Sequence, residues 1–135
     1  MTPGALNPDV TQATIGRTIC VTGYSSRIRP PVDYTNALKR RQIAEYGYAD
    51  KRLSSYEEDH LIPLSIGGAP RDPRNLWPEP RSAFLTDGTD VSAATKDDFE
   101  LYLHERVCSG DLPLAVAQRE IGTDWVRAWE RAGRP

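Results

Sequence analysis

Apolar and polar positions divide the chain into a helical front, an extended middle and a helical end. Residues 96–107 carry the clearest helical pattern, because Phe99, Leu103 and Val107 recur every fourth position with Tyr102 beside them. Thr95 is placed to cap this helix and Gly110 to close it. Residues 34–46 form a second helical pattern, with Leu38 and Ala44 on adjoining faces, Asp33 or Thr35 as cap and Gly47 as the residue beyond its end. Segments 112–122 and 124–132 read as two closing helices around Trp125 and Trp129. Between these blocks the period changes. Residues 56–61 and 75–77 read as short strands, the second stopped by Pro78 and Pro80. The loop joining them holds Pro63, Gly67, Gly68, Pro70 and Pro73, which exclude continuous regular structure, and the Gly pair allows a turn at positive φ.

The remaining segments are less regular. Residues 1–10 are an irregular lead-in, 11–15 a short helix capped by Thr11, 18–21 an extended segment, and 86–90 a flexible stretch. Residues 23–31 form a basic, turn-rich loop in which Pro30-Pro31 excludes helix. Strand, loop, strand and helix thus fill residues 56–108, preceded by a helical and extended region (10–55) and followed by helices (112–132). The expectation is a single α+β domain spanning 1–135, with a two-stranded hairpin, a long loop and a helix at its centre and further helices around it.

At 135 residues and 15.1 kDa, with 39% hydrophobic and 27% charged residues, the chain has room for one modest core and is unlike a disordered chain. Its apolar runs are too short for a membrane span, and its first residues lack the basic start and apolar stretch of a secretory signal. A formal net charge of −2 argues against a general polyanion binder, yet charge is unevenly spread. Arg27, Arg29, Lys39, Arg40 and Arg41 face Asp33 alone across 27–41, whereas Glu57-Glu58-Asp59 and 97–105 are acidic. Cys20 and Cys108 have no Cys-x-x-Cys partner, which excludes a ribbon-type zinc site. By spacing alone they are either one disulfide or two buried thiols.

The chain's two histidines suggest its chemistry. Phosphodiester hydrolysis needs a base that is neutral near pH 7, a divalent cation to offset charge on the phosphate, and a group that orients the imidazole. His60 is the candidate base, Asp59 and His104 are candidate oxygen and nitrogen ligands, and Asn75 is placed to support the loop or orient His60. An oxygen and nitrogen pair accepts Mg²⁺, Mn²⁺, Ni²⁺ or Zn²⁺. Glu100, one helical turn before His104, is a further candidate ligand. Adjacent residues of a strand point to opposite faces, so Asp59 and His60 can share a site only where the strand ends or bulges.

Asp59-His60-Leu-Ile-Pro-Leu, Gly67-Gly68, Asn75-Leu76 and a later helical His104 resemble the HNH endonucleases of the ββα-metal fold. The resemblance covers about residues 56–108 and implies Asp59 and His104 as metal ligands, His60 as general base and Asn75 as the orienting residue. Asn-Leu-Trp-Pro-Glu-Pro and the Glu100-x-x-x-His104 helix further resemble a group of small bacterial HNH-like proteins, many of them exported. In that group cysteines matching Cys20 and Cys108 also occur, which favours a disulfide. The chain departs from many HNH nucleases in lacking paired Cys-x-x-Cys motifs.

The resulting expectation is a metal-dependent endonuclease that cuts DNA, and perforce handles phosphate, with little sequence preference. RNA is a second candidate substrate. Arg71, Arg74, Lys96, Arg40 and Arg41 are candidate nucleic-acid contacts. The competing expectation is a catalytically weak or inactive HNH-fold module that binds metal or nucleic acid, which the acidic balance favours. No membrane association is expected, a monomer is, and the location is extracellular if the cysteines are joined and cytoplasmic otherwise.

Overall fold

The computed structural model describes residues 3–135; Met1 and Thr2, part of the expected lead-in, lie outside the described residues. Four α-helices among these residues surround one antiparallel hairpin: α1 (Tyr24–Ile28), α2 (Val32–Glu45), β1 (Tyr56–His60), β2 (Leu76–Pro80), α3 (Ala93–Cys108) and α4 (Leu114–Arg131). The fold is α+β, with the expected order of strand, loop, strand and helix. No helix among the described residues is long and apolar enough to cross a membrane.

β2 runs through Pro78 and Pro80 rather than stopping there. Within a strand, a residue's N–H and C=O point to the same side. The carbonyls of Leu76 and Pro78 accept from Gln42 of α2 and the Tyr48 hydroxyl, so the even-numbered residues turn away from β1. The prolines thus lack N–H groups only where the ladder needs none. On the other side, the Asn75 carbonyl accepts from Leu61 N–H and continues the ladder one residue past the hairpin.

Helix boundaries moved for local reasons. α2 starts directly after Pro31, which sets the chain up for helix as the residue before its first turn, and neither Asp33 nor Thr35 caps it. α3 begins three residues before Lys96, with Ser92 rather than Thr95 as its first boundary, because the Thr95 hydroxyl donates to the Asp90 carbonyl. α4 joins the two expected closing helices across Asp124, whose φ of −156° and ψ of 87° break the helical path. The Asp124 carboxylate then accepts from Arg127 N–H and caps the second half. Residues 18–21 are turns rather than a strand, the loop 23–31 contains α1, and the first helical turn falls at Ile15–Arg17 rather than 11–15.

Phe99, Leu103 and Val107 of α3 are buried as their spacing predicts, against Ile62, Ile66, Ala117, Ile121, Trp125 and Trp129. A disulfide joins Cys20 to Cys108, with Cα atoms 5.7 Å apart, and ties the front of the chain to the end of α3. The lead-in also has a structural task. Asn7 N–H donates to Gly67, Ala69 N–H to Ala5, and Gly4 N–H to Arg74, so residues 4–7 are laced along the loop between the strands.

That loop is held by Asn75, which is fully buried. Its Oδ1 accepts from Ile62 N–H at 2.9 Å, while its Nδ2 donates to the carbonyls of Ile62 (2.9 Å) and Ala69 (3.1 Å). Gly67 takes the expected positive φ of 90°, but Gly68 is required for a different reason. A Cβ there would lie 1.7 Å from the Ile62 carbonyl oxygen and 2.6 Å from Asn75 Nδ2. Gly68→Ala should therefore cost roughly 3 kcal/mol or more, read as a fall of about 10 °C in thermal midpoint. Gly16→Ala, which meets nothing within 4 Å, is the control and should change stability by less than about 0.5 kcal/mol. Reducing the disulfide, which closes a separation of 88 residues, should lower unfolding free energy by roughly 4–5 kcal/mol, measured by urea titration with and without reductant.

Candidate functional site

The hairpin register sorts the acidic run. Glu57 pairs with Glu79, Glu58 with Pro78, Asp59 with Trp77 and His60 with Leu76. Alternation puts Glu57, Asp59 and Glu79 on the face toward α3, and Glu58 on the opposite face near Lys39 of α2. His60 is the last residue of β1. Because the strand ends there, Asp59 and His60 line one cavity of about 310 Å³ together with Arg29, Glu57, Pro63, Leu64, Asp97 and Glu100.

Behind this cavity sits Lys96, whose side chain is completely buried. Its Nζ donates to Asp59 Oδ2 and Glu100 Oε1, both at 2.6 Å, and to the His60 carbonyl at 2.9 Å. All three donor positions of the ammonium are thereby used. Burial pulls the Lys96 pKa down, but the charges of Asp59, Glu100 and Glu79 outweigh it and hold it above its ordinary value. Burial raises Glu100 against the pull of Lys96. Glu79, 3% exposed, is also raised well above the carboxylate range, first by burial and then by its neighbour Asp59.

His60 is 6% exposed, and its Nε2 lies 2.9 Å from the Pro70 carbonyl. Burial is the main reason its pKa is lowered, with Arg29 and Lys96 acting in the same direction against the Pro70 hydrogen bond and Asp59. A neutral ring facing a carbonyl must donate, which assigns the proton to Nε2 and leaves the lone pair on Nδ1. Asn75 does not touch the ring. It fixes the Ala69 carbonyl, one residue before the Pro70 carbonyl that holds His60, and so positions the imidazole through the loop.

The other expected site residues fall in three places. His104 is not at the cavity: its Nε2 donates to the Ile19 carbonyl at 2.8 Å, beside Cys108 Sγ at 3.5 Å. Lys96, the residue that meets Asp59, lies eight positions earlier, about 12 Å along the helix axis. Glu100 does line the cavity, tied to Lys96. Lys96 itself is enclosed and out of reach of a nucleic acid, contrary to its expected role. Arg71 stacks over Tyr34, its guanidinium carbon 4.8 Å from the ring centre, and Arg74 forks onto Asp72. Arg40 and Arg41 are exposed on α2, and Arg41 lines a separate cavity with Arg74 and Glu45. The cation that lines the His60 cavity is Arg29, exposed just after α1, which no spacing in the sequence marks out.

No protein-family model matches the chain, and neither a curated protein nor a solved structure matches it significantly.

The buried acids give the site's surroundings a pH signature. Both Glu58 carboxyl oxygens are enclosed without a hydrogen bond, and burial pushes Glu58 up to about 8, with Asp59 adding to this and Lys39 opposing it. A carboxyl raised from 4.5 to about 8 keeps its proton in the folded chain after the unfolded chain has lost it. Its contribution to stability therefore falls as pH rises through that window. Glu58→Gln should match the parent near pH 4, below the unfolded value of 4.5, and become more stable than it by pH 8, as measured by urea unfolding at both values.

Proposed function

We propose that the protein is a metal-dependent phosphodiester hydrolase that cuts DNA with little sequence preference, with the hairpin, loop and α3 as a ββα-metal, HNH-like centre. The observation that carries this reading is the state of His60. The ring is buried, fixed through Nε2, neutral at pH 7, and opens onto a cavity walled by carboxylates. That is the arrangement a general base needs.

In this mechanism Nδ1 of His60 takes the proton from an attacking water, and its charge is then balanced by Asp59 beside it. Lys96 holds the Asp59 carboxylate and the His60 backbone in fixed relation, so the base does not drift as it becomes charged. Arg29 stands at the cavity to receive a phosphate oxygen, bidentate if the guanidinium turns edge-on. The carboxylate-rich wall fits a divalent cation better than it fits a bare phosphate. When bound, such an ion would supply the positive charge that offsets the phosphate and the leaving oxygen. Asp59 is the residue nearest to hand to hold it.

The second reading, a module that binds a cation without useful catalysis, is favoured by one observation. Four carboxylates, Glu57, Asp59, Asp97 and Glu100, line the cavity against Arg29 alone, a balance that suits a cation better than a polyanion. The disulfide fits an oxidising compartment, so we infer export.

Purified protein with Mg²⁺ or Mn²⁺ should nick supercoiled plasmid, and His60→Ala should lower the rate by about 100-fold or more. The rate should fall on acidification below the ordinary imidazole value of 6.5, since protonation there removes the base. Equal cutting by parent and His60→Ala would reject the mechanism.

A further inference from the structure

Cys20, Cys108 and His104 meet at the end of α3, and none of them lines the His60 cavity. His104 and Cys108 stand four residues apart on α3, so their side chains leave one face of the helix a turn apart. Cys20 reaches that face from the turns before α1, its Cα 5.7 Å from that of Cys108. Its neighbour Ile19 presents a carbonyl there. His104 Nε2 lies 2.8 Å from this oxygen and 3.5 Å from Cys108 Sγ. Two sulfurs, an imidazole nitrogen and a carbonyl oxygen are thus gathered in one place, with only the sulfurs bonded to each other.

Zn²⁺ takes Cys sulfur at about 2.3 Å and His nitrogen at about 2.0–2.1 Å in a tetrahedron, which sets the edge between those donors at about 3.5 Å. His104 Nε2 and Cys108 Sγ already stand at that separation. The sulfurs, once reduced, have to part to an edge of about 3.8 Å, which rotation of the two Cys side chains allows at this Cα separation. The Ile19 oxygen has to move out from Nε2 by about half an ångström to complete the tetrahedron. Thiolate and imidazole are also the donors that select zinc over Mg²⁺, Ca²⁺ or Mn²⁺.

We propose that, when the disulfide is reduced, Cys20, Cys108 and His104 form a zinc site with the Ile19 carbonyl as fourth donor. The S–S bond takes up two electrons and two protons from a dithiol, which leaves as its own disulfide, and two thiols result. Zn²⁺ then displaces both thiol protons, and the imidazole binds through Nε2 with its proton on Nδ1. The S–S bond and the zinc ion each tie Cys20 to Cys108, so the front of the chain is fastened to α3 before oxidation as well as after it. The site is independent of the hydrolase reading and belongs to the chain before it meets an oxidising compartment.

The test uses the full-length protein reduced with a phosphine, which ends as its oxide and is removed under argon. Reduced protein should take up one Co²⁺ per chain with the thiolate charge-transfer band and strong visible bands of a tetrahedral site, and Zn²⁺ should abolish them. Zn²⁺ at 100 times its Kd should raise the thermal midpoint of the reduced protein by about 5 °C or more. Oxidised protein should show neither effect. His104→Gln, whose amide can still donate to Ile19, should weaken Co²⁺ binding by about ten-fold or more. X-ray absorption at the zinc edge of the parent, which requires no variant to fold, should show two sulfurs and imidazole scattering. Reduced protein without tetrahedral Co²⁺ bands, a midpoint unmoved by Zn²⁺, or the same bands in oxidised protein would each overturn the site. So would equal binding in folded His104→Gln, or a zinc shell lacking sulfur or imidazole.

Discussion

The buried ammonium of Lys96 is the constraint on which the centre of the molecule depends. Three acidic residues in a row make β1 a poor strand by itself, and a fourth acid, Glu79, stands opposite Glu57. Lys96 resolves this by placing one fixed cation where Asp59, Glu100 and the His60 carbonyl converge. An ammonium of this kind is costly to bury, and removing one partner of a buried ion cluster typically costs about 3–5 kcal/mol because the other charge is left behind. The ion triad therefore sets a geometry more than it adds stability. It holds α3 against the end of β1, and through the His60 carbonyl it fixes the backbone from which the imidazole projects.

A second clamp meets the first at His60. Asn75 gathers Ile62 and Ala69, Gly68 leaves the space that this gathering needs, and Pro70 then presents its carbonyl to Nε2. Backbone and ring of His60 are thus held by different elements, α3 through Lys96 and the loop through Pro70. The lead-in at residues 4–7 closes the outer side of the loop, and the disulfide anchors the front of the chain to α3. The loop has little regular structure, yet its backbone groups are extensively paired, which is how an irregular segment can hold a side chain still.

Side-chain periodicity made much of this legible. Phe99, Leu103 and Val107 announce α3, the Gly and Pro cluster announces the loop, and the adjacency of Asp59 and His60 marks the cavity. The same stripe also carried the information about Lys96, which stands three and seven residues before Phe99 and Leu103 and so falls on the core face. Its charge concealed that position. His104 misleads for the opposite reason: it is a metal-binding residue type on the right helix, but two turns too far along to reach Asp59 and close enough to Ile19 to bond there. Pro78 and Pro80 read as strand breakers because sequence does not reveal which side of β2 faces β1. The lacing of residues 4–7 is made by backbone atoms and leaves no side-chain signature.

Charge balance decides what the cavity can receive. Glu57, Asp59, Asp97 and Glu100 line it, and Lys96 lies behind it with its hydrogen bonds directed at Asp59, Glu100 and a carbonyl. Glu57 and Asp97 are both raised, first by burial and then by the charge of Asp59, so each feels the others as unfavourable neighbours. A phosphate approaching this wall meets Arg29 as its one lining cation, which offsets a single charge in a field set by several. Under the hydrolase reading proposed above, that field opposes the phosphate unless a further cation offsets it. With one, the same carboxylates that repel phosphate would be neutralised at the place where the water and the base meet. On that reading Lys96, its three donor positions already taken by Asp59, Glu100 and the His60 carbonyl, cannot supply the missing charge, and the proposed metal ion would have to.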